Sequence, residues 1–253
     1  MIRLDNITKT FEVAHEENIK VYDNFSFEVE RGDFVSIIGG NGSGKSTLLN
    51  IISGVYSIDS GKIYINNQDV TKLKEYKRAK MIGKVSQNIS NNTASNLTVL
   101  ENIALYENKN KRYSLTFYKN KNKINDYKDM LATLGLGLEN KLNVKTGNLS
   151  GGQRQALALL MATMTPIDIL LLDEHTAALD PKASELVMRL TDRIVREKNI
   201  TTLMVTHNMP MAIEYGNRLC MFDKGKIILD ERGESKQNLT KEHIISVFNS
   251  TLF

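Results

Sequence analysis

At the start of the chain, apolar residues alternate with polar ones at the period of a strand. Ile2, Leu4 and Ile7 are apolar among polar neighbours, and Phe25, Phe27 and Val29 alternate strictly up to the turn Arg31-Gly32-Asp33. This pattern predicts an antiparallel sheet edge. From Phe34 the rhythm changes. Phe34 to Ile38 is a short continuous apolar run, as expected of a buried strand. After a glycine-rich loop, Leu48, Leu49, Ile51 and Ile52 predict a helix over Ser46 to Ser53. Gly61 to Ile65 and Ile82 to Val85 predict further strands. From Val99 to about Lys145 the chain turns polar, rich in Lys and Asn, and helical in its better parts.

The second half returns to alternation of whole elements. Gln153 to Met164 predicts a helix, Ile167 to Leu172 a buried strand, Lys182 to Lys198 an amphipathic helix and Thr202 to Thr206 another buried strand. Leu219 to Asp230 predicts a hairpin turning at Asp223-Lys224-Gly225, and Lys241 to about Phe248 a final helix. Strands alternating with helices imply an α/β core with a mostly parallel sheet. The expected organisation is one domain. Residues 1–98 and 146–253 form the core with its N-terminal antiparallel β-subdomain. About 99–145, with the start of the next helix, forms an inserted α-helical subdomain.

Composition narrows the function classes. With 253 residues, 41% of them hydrophobic, the chain buries a sizeable core. Lys and Arg total 33 against 29 Asp and Glu, a mild excess that does not call for nucleic acid or another polyanion. The single cysteine, Cys220, excludes an internal disulfide and fits a reducing compartment. No apolar run approaches the ~18 to 20 residues needed to span a bilayer, and Met1 to Asp5 lacks the apolar core of a signal peptide. The expected location is the cytoplasm.

Three runs carry chemistry. Gly39-Gly40-Asn41-Gly42-Ser43-Gly44-Lys45-Ser46, followed by Thr47, has P-loop spacing between an apolar strand and a helix. Its glycines let backbone N–H groups turn inward around phosphate oxygens at a helix N-terminus. Lys45 is expected to neutralise the β- and γ-phosphates, and the Ser46 hydroxyl to ligate Mg²⁺. Asp173 and Glu174 end the strand Ile169-Leu170-Leu171-Leu172, where parallel sheets put their ligands. Asp173 suits Mg²⁺, and Glu174 suits polarisation of an attacking water. Leu149-Ser150-Gly151-Gly152-Gln153, ahead of an Ala- and Leu-rich helix, forms a second helix N-terminus fit for an anion, with Ser150 as N-cap.

Together these runs resemble the ATP-binding subunits of ABC transporters, the last run reading as their signature sequence. The resemblance covers nearly the whole chain. It implies a P-loop NTPase core, ATP and Mg²⁺ as ligands, and ATP hydrolysis. It also implies a head-to-tail dimer, of two copies or of one copy with a close relative, in which Ser150 and Gly152 of one subunit contact the γ-phosphate held by Lys45 of the other. By the same resemblance, Phe11 stacks on adenine, and Gln87 touches Mg²⁺ and the lytic water. Asp180, in Ala178-Leu179-Asp180, crosses the dimer interface, and His207 holds the γ-phosphate. Two departures are visible: Ala178 stands where the family usually has Ser, and Gly40 where Pro is common.

The resemblance further implies a separate transmembrane permease docking near Asn88 to Glu101, a peripheral place on the cytoplasmic face of the membrane, and no nucleic-acid partner. Thr71 to Ala79, Leu134 to Asn140 and Asp173 to Pro181 are similar to importer ATPases that pair with a branched-chain-amino-acid-type permease and a substrate-binding lipoprotein. Uptake of a small amino-acid-like solute is therefore expected. The alternatives are an exporter or lipoprotein-release ATPase, or a non-transport ABC ATPase. The stretch Asn108 to Lys128 carries seven Lys or Arg against one Asp, with Tyr113, Phe117, Tyr118 and Tyr127 interleaved. It is read either as a surface for anionic headgroups or an acidic loop, or as a solvated face.

Overall fold

The computed structural model of the chain describes residues 2–12, 17–108 and 123–250. They divide into two compact units. The first comprises Met1–Lys84, Asp168–Glu174 and Val195–Phe253, and the second Val85–Ile167 and His175–Ile194.

The first unit holds two sheets. Strands β1 (Ile2–Phe11), β2 (Ile19–Val29), β4 (Ser60–Ile65) and β5 (Gln68–Asp69) form one, in the order β2-β1-β4-β5. All its pairings are antiparallel, with Ile2 opposite both Val29 and Ile65. The alternation read from the sequence has its cause here: Ile2, Leu4, Ile7 and Val29 are fully buried on the inner face. The second sheet runs β10-β9-β3-β8-β7-β6, from β3 (Phe34–Gly39), β6 (Ile82–Val85), β7 (Ile169–Asp173), β8 (Thr201–Val205), β9 (Arg218–Asp223) and β10 (Lys226–Arg232). β3 lies parallel to β8 and β9, β7 lies parallel to β8, and β10 is antiparallel to β9. The β9–β10 hairpin turns through Lys224 and Gly225, both at positive φ, as a tight two-residue turn requires.

Helix α1 (Lys45–Ser53) follows β3 and sends Leu48, Leu49, Ile51 and Ile52 into the core shared by both sheets. Each such side chain contributes about 1.5–3 kcal/mol of burial. Gly54 ends the helix in the left-handed conformation. Arg78, at the end of the one-turn helix α2 (Glu75–Arg78), completes that end. Its buried guanidinium donates to the carbonyls of Ile51 (2.8 Å) and Ile52 (3.0 Å), and to those of Leu73 and Thr71. A cation there satisfies orphan carbonyls and opposes the negative end of the helix dipole.

The second unit is helical among the described residues: α3 (Val99–Asn108), α4 (Lys123–Ala132), α5 (Gly151–Thr163) and, through Ile194, α6 (Pro181–Lys198). Of the basic stretch, residues 109–122 lie outside the described residues. Two aromatic or basic members that are described turn to one acid: Lys123 pairs with Glu107, and the buried Tyr127 hydroxyl donates to Glu107 at 2.6 Å. The first unit ends with α7 (Met209–Glu214), α8 (Gly233–Gln237) and α9 (Lys241–Ser250). β5, α2, α7 and α8 were not expected from periodicity, since each spans too few residues to show one.

Candidate functional site

β3 ends at Gly39 and α1 begins at Lys45, so the loop between them sits at the carboxyl ends of the parallel strands. Three of its glycines hold positive φ values that residues with a side chain rarely adopt: Gly39 (148°), Gly42 (76°) and Gly44 (103°). At Gly39 there is also no room. A Cβ would lie 2.1 Å from the Phe222 carbonyl oxygen. Gly44 is fixed from below by Tyr22, whose buried hydroxyl donates to the Gly44 carbonyl at 2.9 Å. Gly44 caps α1 with no side-chain hydrogen bond, and the first turn holds no acidic residue. The positive helix end is thus left open to an anion.

Lys45 is 5% exposed and folds back over the loop, donating to Gly40 O (2.7 Å), Gly39 O (3.0 Å) and Ser43 Oγ (3.3 Å). Burial pushes its ammonium below the usual lysine range, against the opposing pull of Glu174 and Asp173. Next along the helix, Ser46 Oγ donates to Asp173 Oδ1 at 2.9 Å. That brings together the hydroxyl and carboxylate expected to meet a divalent ion. Two hard oxygen donors at a phosphate loop fit Mg²⁺, which takes one or two protein oxygens and fills its octahedron with water and phosphate oxygens. No cluster of three or more His, Cys, Asp or Glu suited to a metal occurs among the described residues.

Glu174 follows β7 in the left-handed conformation, φ 48°, unusual for a residue with a side chain. Its N–H donates to Val205 O at 2.9 Å, which holds the turn against the neighbouring strand. The carboxylate is 15% exposed and lies 2.7 Å from Nε2 of His207, the second residue beyond β8. At that distance the two are within hydrogen-bond reach, a proton on His207 Nε2 donating to Glu174 Oε1.

Lys45, Ser46, Glu174 and His207 share one cleft of about 370 Å³, a volume suited to a cofactor-sized ligand. Asn41, Gly42, Gly44 and residues 45–47 line it at the loop, with Glu174 and His207 alongside. Phe11 lines it too, together with Ile19 and Val21, which the sequence reading missed. Their signal was slight, since strand alternation already accounts for both. Lys84 was also missed. It donates to Asn50 Oδ1 at 2.7 Å and lies within electrostatic reach of Asp173.

The remaining predicted residues belong to the second unit. Ser150 caps α5 in a complete capping box: its Oγ accepts from Gln153 N (3.2 Å), and Gln153 Oε1 accepts from Ser150 N (3.3 Å). The box takes the N–H of neither Gly151 nor Gly152. Both glycines are closely approached: a Cβ on Gly151 would lie 3.0 Å from Leu179 Cδ2, and one on Gly152 3.1 Å from Ala183 Cβ. Asp180 accepts from Ala183 N at 3.0 Å at the start of α6. Gln87 is exposed. The residue before it is clamped by Asn92, which binds Ser86 N and Ser86 O, both at 2.8 Å, and reaches Gln155 of α5 at 3.5 Å. His175, beside Glu174 in sequence, is fully buried against Thr191 Oγ1 (3.2 Å), and burial pushes its pKa down to about 4.

Residues 22–177 match the family model described as ABC transporter. The chain is 47% identical over 248 residues to a tyrosine transport ATP-binding protein of Clostridioides difficile, covering 98% of each chain. It is 35% identical to a methionine import ATP-binding protein of Mannheimia succiniciproducens, covering all of this chain and 72% of the relative. Among solved structures it resembles an ATP-binding cassette of an ABC transporter in its ADP conformation, with TM-score 0.80, 28% identity and 98% of each chain covered. It also resembles a dimeric bacterial ABC transporter cassette, with TM-score 0.78, 33% identity and 92% and 98% covered. No described helix is long and apolar enough to cross a membrane. With a glycine loop and its lysine, a strand-end Asp-Glu pair and these relatives, the chain belongs to the ABC transporter ATP-binding family and is an ATP-binding, ATP-hydrolysing subunit of such a transporter.

Proposed function

We propose that this ATPase energises import of a small amino-acid-like solute through a separate permease, and that the cleft of the first unit is where its ATP is hydrolysed. The observation that carries the catalytic reading is the Glu174–His207 pair, 2.7 Å apart in the same cleft as the phosphate loop. Phe11 receives the base. The N–H groups at Asn41 to Thr47 and the Lys45 ammonium receive the phosphates, Lys45 exchanging its loop carbonyls for phosphate oxygens. Ser46 Oγ and Asp173 would hold Mg²⁺, and the ion would neutralise phosphate charge when bound.

Glu174 then orients a water in line with the γ-phosphate. The water oxygen forms the new bond to phosphorus, the bridging oxygen leaves with ADP, and Glu174 takes the water's proton while His207 keeps its carboxylate aimed. The low exposure of Glu174 strengthens each of these contacts.

The functional unit is a dimer, of two copies or a copy with a close relative, closed by ATP when Ser150, Gly151 and Gly152 of one subunit meet the γ-phosphate bound to the other. Gly151 and Gly152 N–H stand outside the capping box, which supports this use of the turn. Gln153 and Asp180 shape it. The chain works as one domain, peripheral on the membrane, against a branched-chain-amino-acid-type permease with a substrate-binding lipoprotein. The tyrosine and methionine transport relatives support an amino-acid solute. Uptake of radiolabelled amino acids by cells carrying this chain with its permease tests the reading. Uptake of one amino acid, lost with Glu174→Gln, is expected; efflux of solute, or no effect of the substitution on uptake, would contradict it.

A further inference from the structure

The geometry points to Tyr56 as the positioning residue that sets the plane of the Phe11 ring, an inference that rests on the reading of Phe11 as the base platform. Phe11 is the last residue of β1 and only half-buried, so packing alone does not fix its ring. Tyr56 meets it at 5.2 Å between centroids and 78° between planes, the perpendicular arrangement aromatic pairs favour. The Lys9 ammonium lies 5.0 Å from the centre of the same ring.

What holds Tyr56 there is a hook on β1. Asp59 N–H donates to Thr8 O at 2.9 Å, and Asp59 Oδ2 accepts from Thr10 N at 2.7 Å. Between those two points Lys9 Nζ pairs with Asp59 Oδ1 at 3.5 Å. On its other side Tyr56 N–H donates to Asn50 O, inside α1. The helix that starts at the phosphate loop therefore also places the ring that steadies Phe11. One rigid element of nine residues, about 13 Å long at 1.5 Å per residue, sets the spacing between the phosphate end and the base end of the cleft. At 37% exposure Tyr56 is an apolar surface ring whose role is otherwise unaccounted for.

The test measures Kd of the purified chain for ATP, and for inorganic tripolyphosphate, which has no base, together with KM and kcat. Tyr56→Ala is expected to weaken ATP about 2- to 10-fold, the range of an aromatic pair, with kcat and tripolyphosphate affinity unchanged. Tyr56→Phe, which keeps the ring, is expected to restore ATP affinity. Tyr56→Leu serves if the alanine variant is unstable. Equal loss of ATP and tripolyphosphate, or no loss of either, overturns the inference. Phe11→Ala separates the two levels. If it weakens ATP alone while Tyr56→Ala does nothing, the platform stands and Tyr56 falls. If Phe11→Ala leaves ATP affinity intact, the base does not sit on Phe11 and both fall.

Discussion

The molecule carries two glycine-rich helix starts, and they are finished in opposite ways. At α1 the cap is Gly44, with no side-chain bond and no acid in the first turn. At α5 the cap is Ser150, locked with Gln153 in a reciprocal box. An uncapped start leaves orphan N–H groups at a positive helix end, which is stable only if something anionic or wet fills them. A boxed start is self-sufficient and holds its shape without a ligand. The first start thus suits an anionic ligand, and the second keeps its shape with the Gly151 and Gly152 N–H groups outside the box.

Substitutions at the two starts break or sharpen that contrast. The largest effect is expected beside the first: Glu174→Gln should lower ATP hydrolysis by about 10²- to 10⁴-fold while ATP binding persists, read by phosphate release and by nucleotide titration. Next come the glycines. Gly39→Ala forces a Cβ to 2.1 Å from a backbone carbonyl at φ 148°, and should cost upwards of about 3 kcal/mol or prevent folding, since backbone cannot give way. Gly151→Ala meets the end of a flexible leucine at 3.0 Å and should cost within about 1–2 kcal/mol. Equal melting losses for the two would erase the distinction.

The second unit should also show in the pH dependence of stability. His175 titrates near 6.5 when unfolded and at about 4 when folded, because burial disfavours its charge. The unfolded chain therefore binds the extra proton between those values, and stability falls as pH drops through that window, by about 1.4 kcal/mol per unit. Urea titrations from pH 7 to 4 should show this slope, and His175→Gln should remove it. A smaller effect is expected for Ser150→Ala, about 1 kcal/mol for the lost cap, or a melting shift of roughly 2–4 °C. Ser46→Ala removes no cap and should shift melting less.

Much of this was legible in the sequence because it is local. The strand, glycine loop and helix from Phe34 to Ser53, the Asp-Glu strand end and the Ser150 cap each lie within one apolar period or one motif, and each formed within a residue or two of its expected bounds. What stayed hidden depends on residues distant in the chain. Arg78 sits in a run of exposed lysines and reads as one more surface cation, yet its partners are carbonyls 26 and 27 positions earlier. Tyr22 reads as a strand aromatic, and its hydroxyl braces Gly44. Glu174 was recognised by type, but its left-handed backbone follows from the bond to Val205 in the next strand. His175 carries no sequence sign of burial at all.

Sedimentation of the Glu174→Gln protein with Mg-ATP measures most directly whether nucleotide joins the open start of one copy to the boxed start of another. The account predicts a dimer with ATP, a monomer with ADP, and loss of the dimer when Gly151 is made bulky with a Trp side chain. A strictly monomeric protein at saturating Mg-ATP, alone and with its permease present, would contradict it.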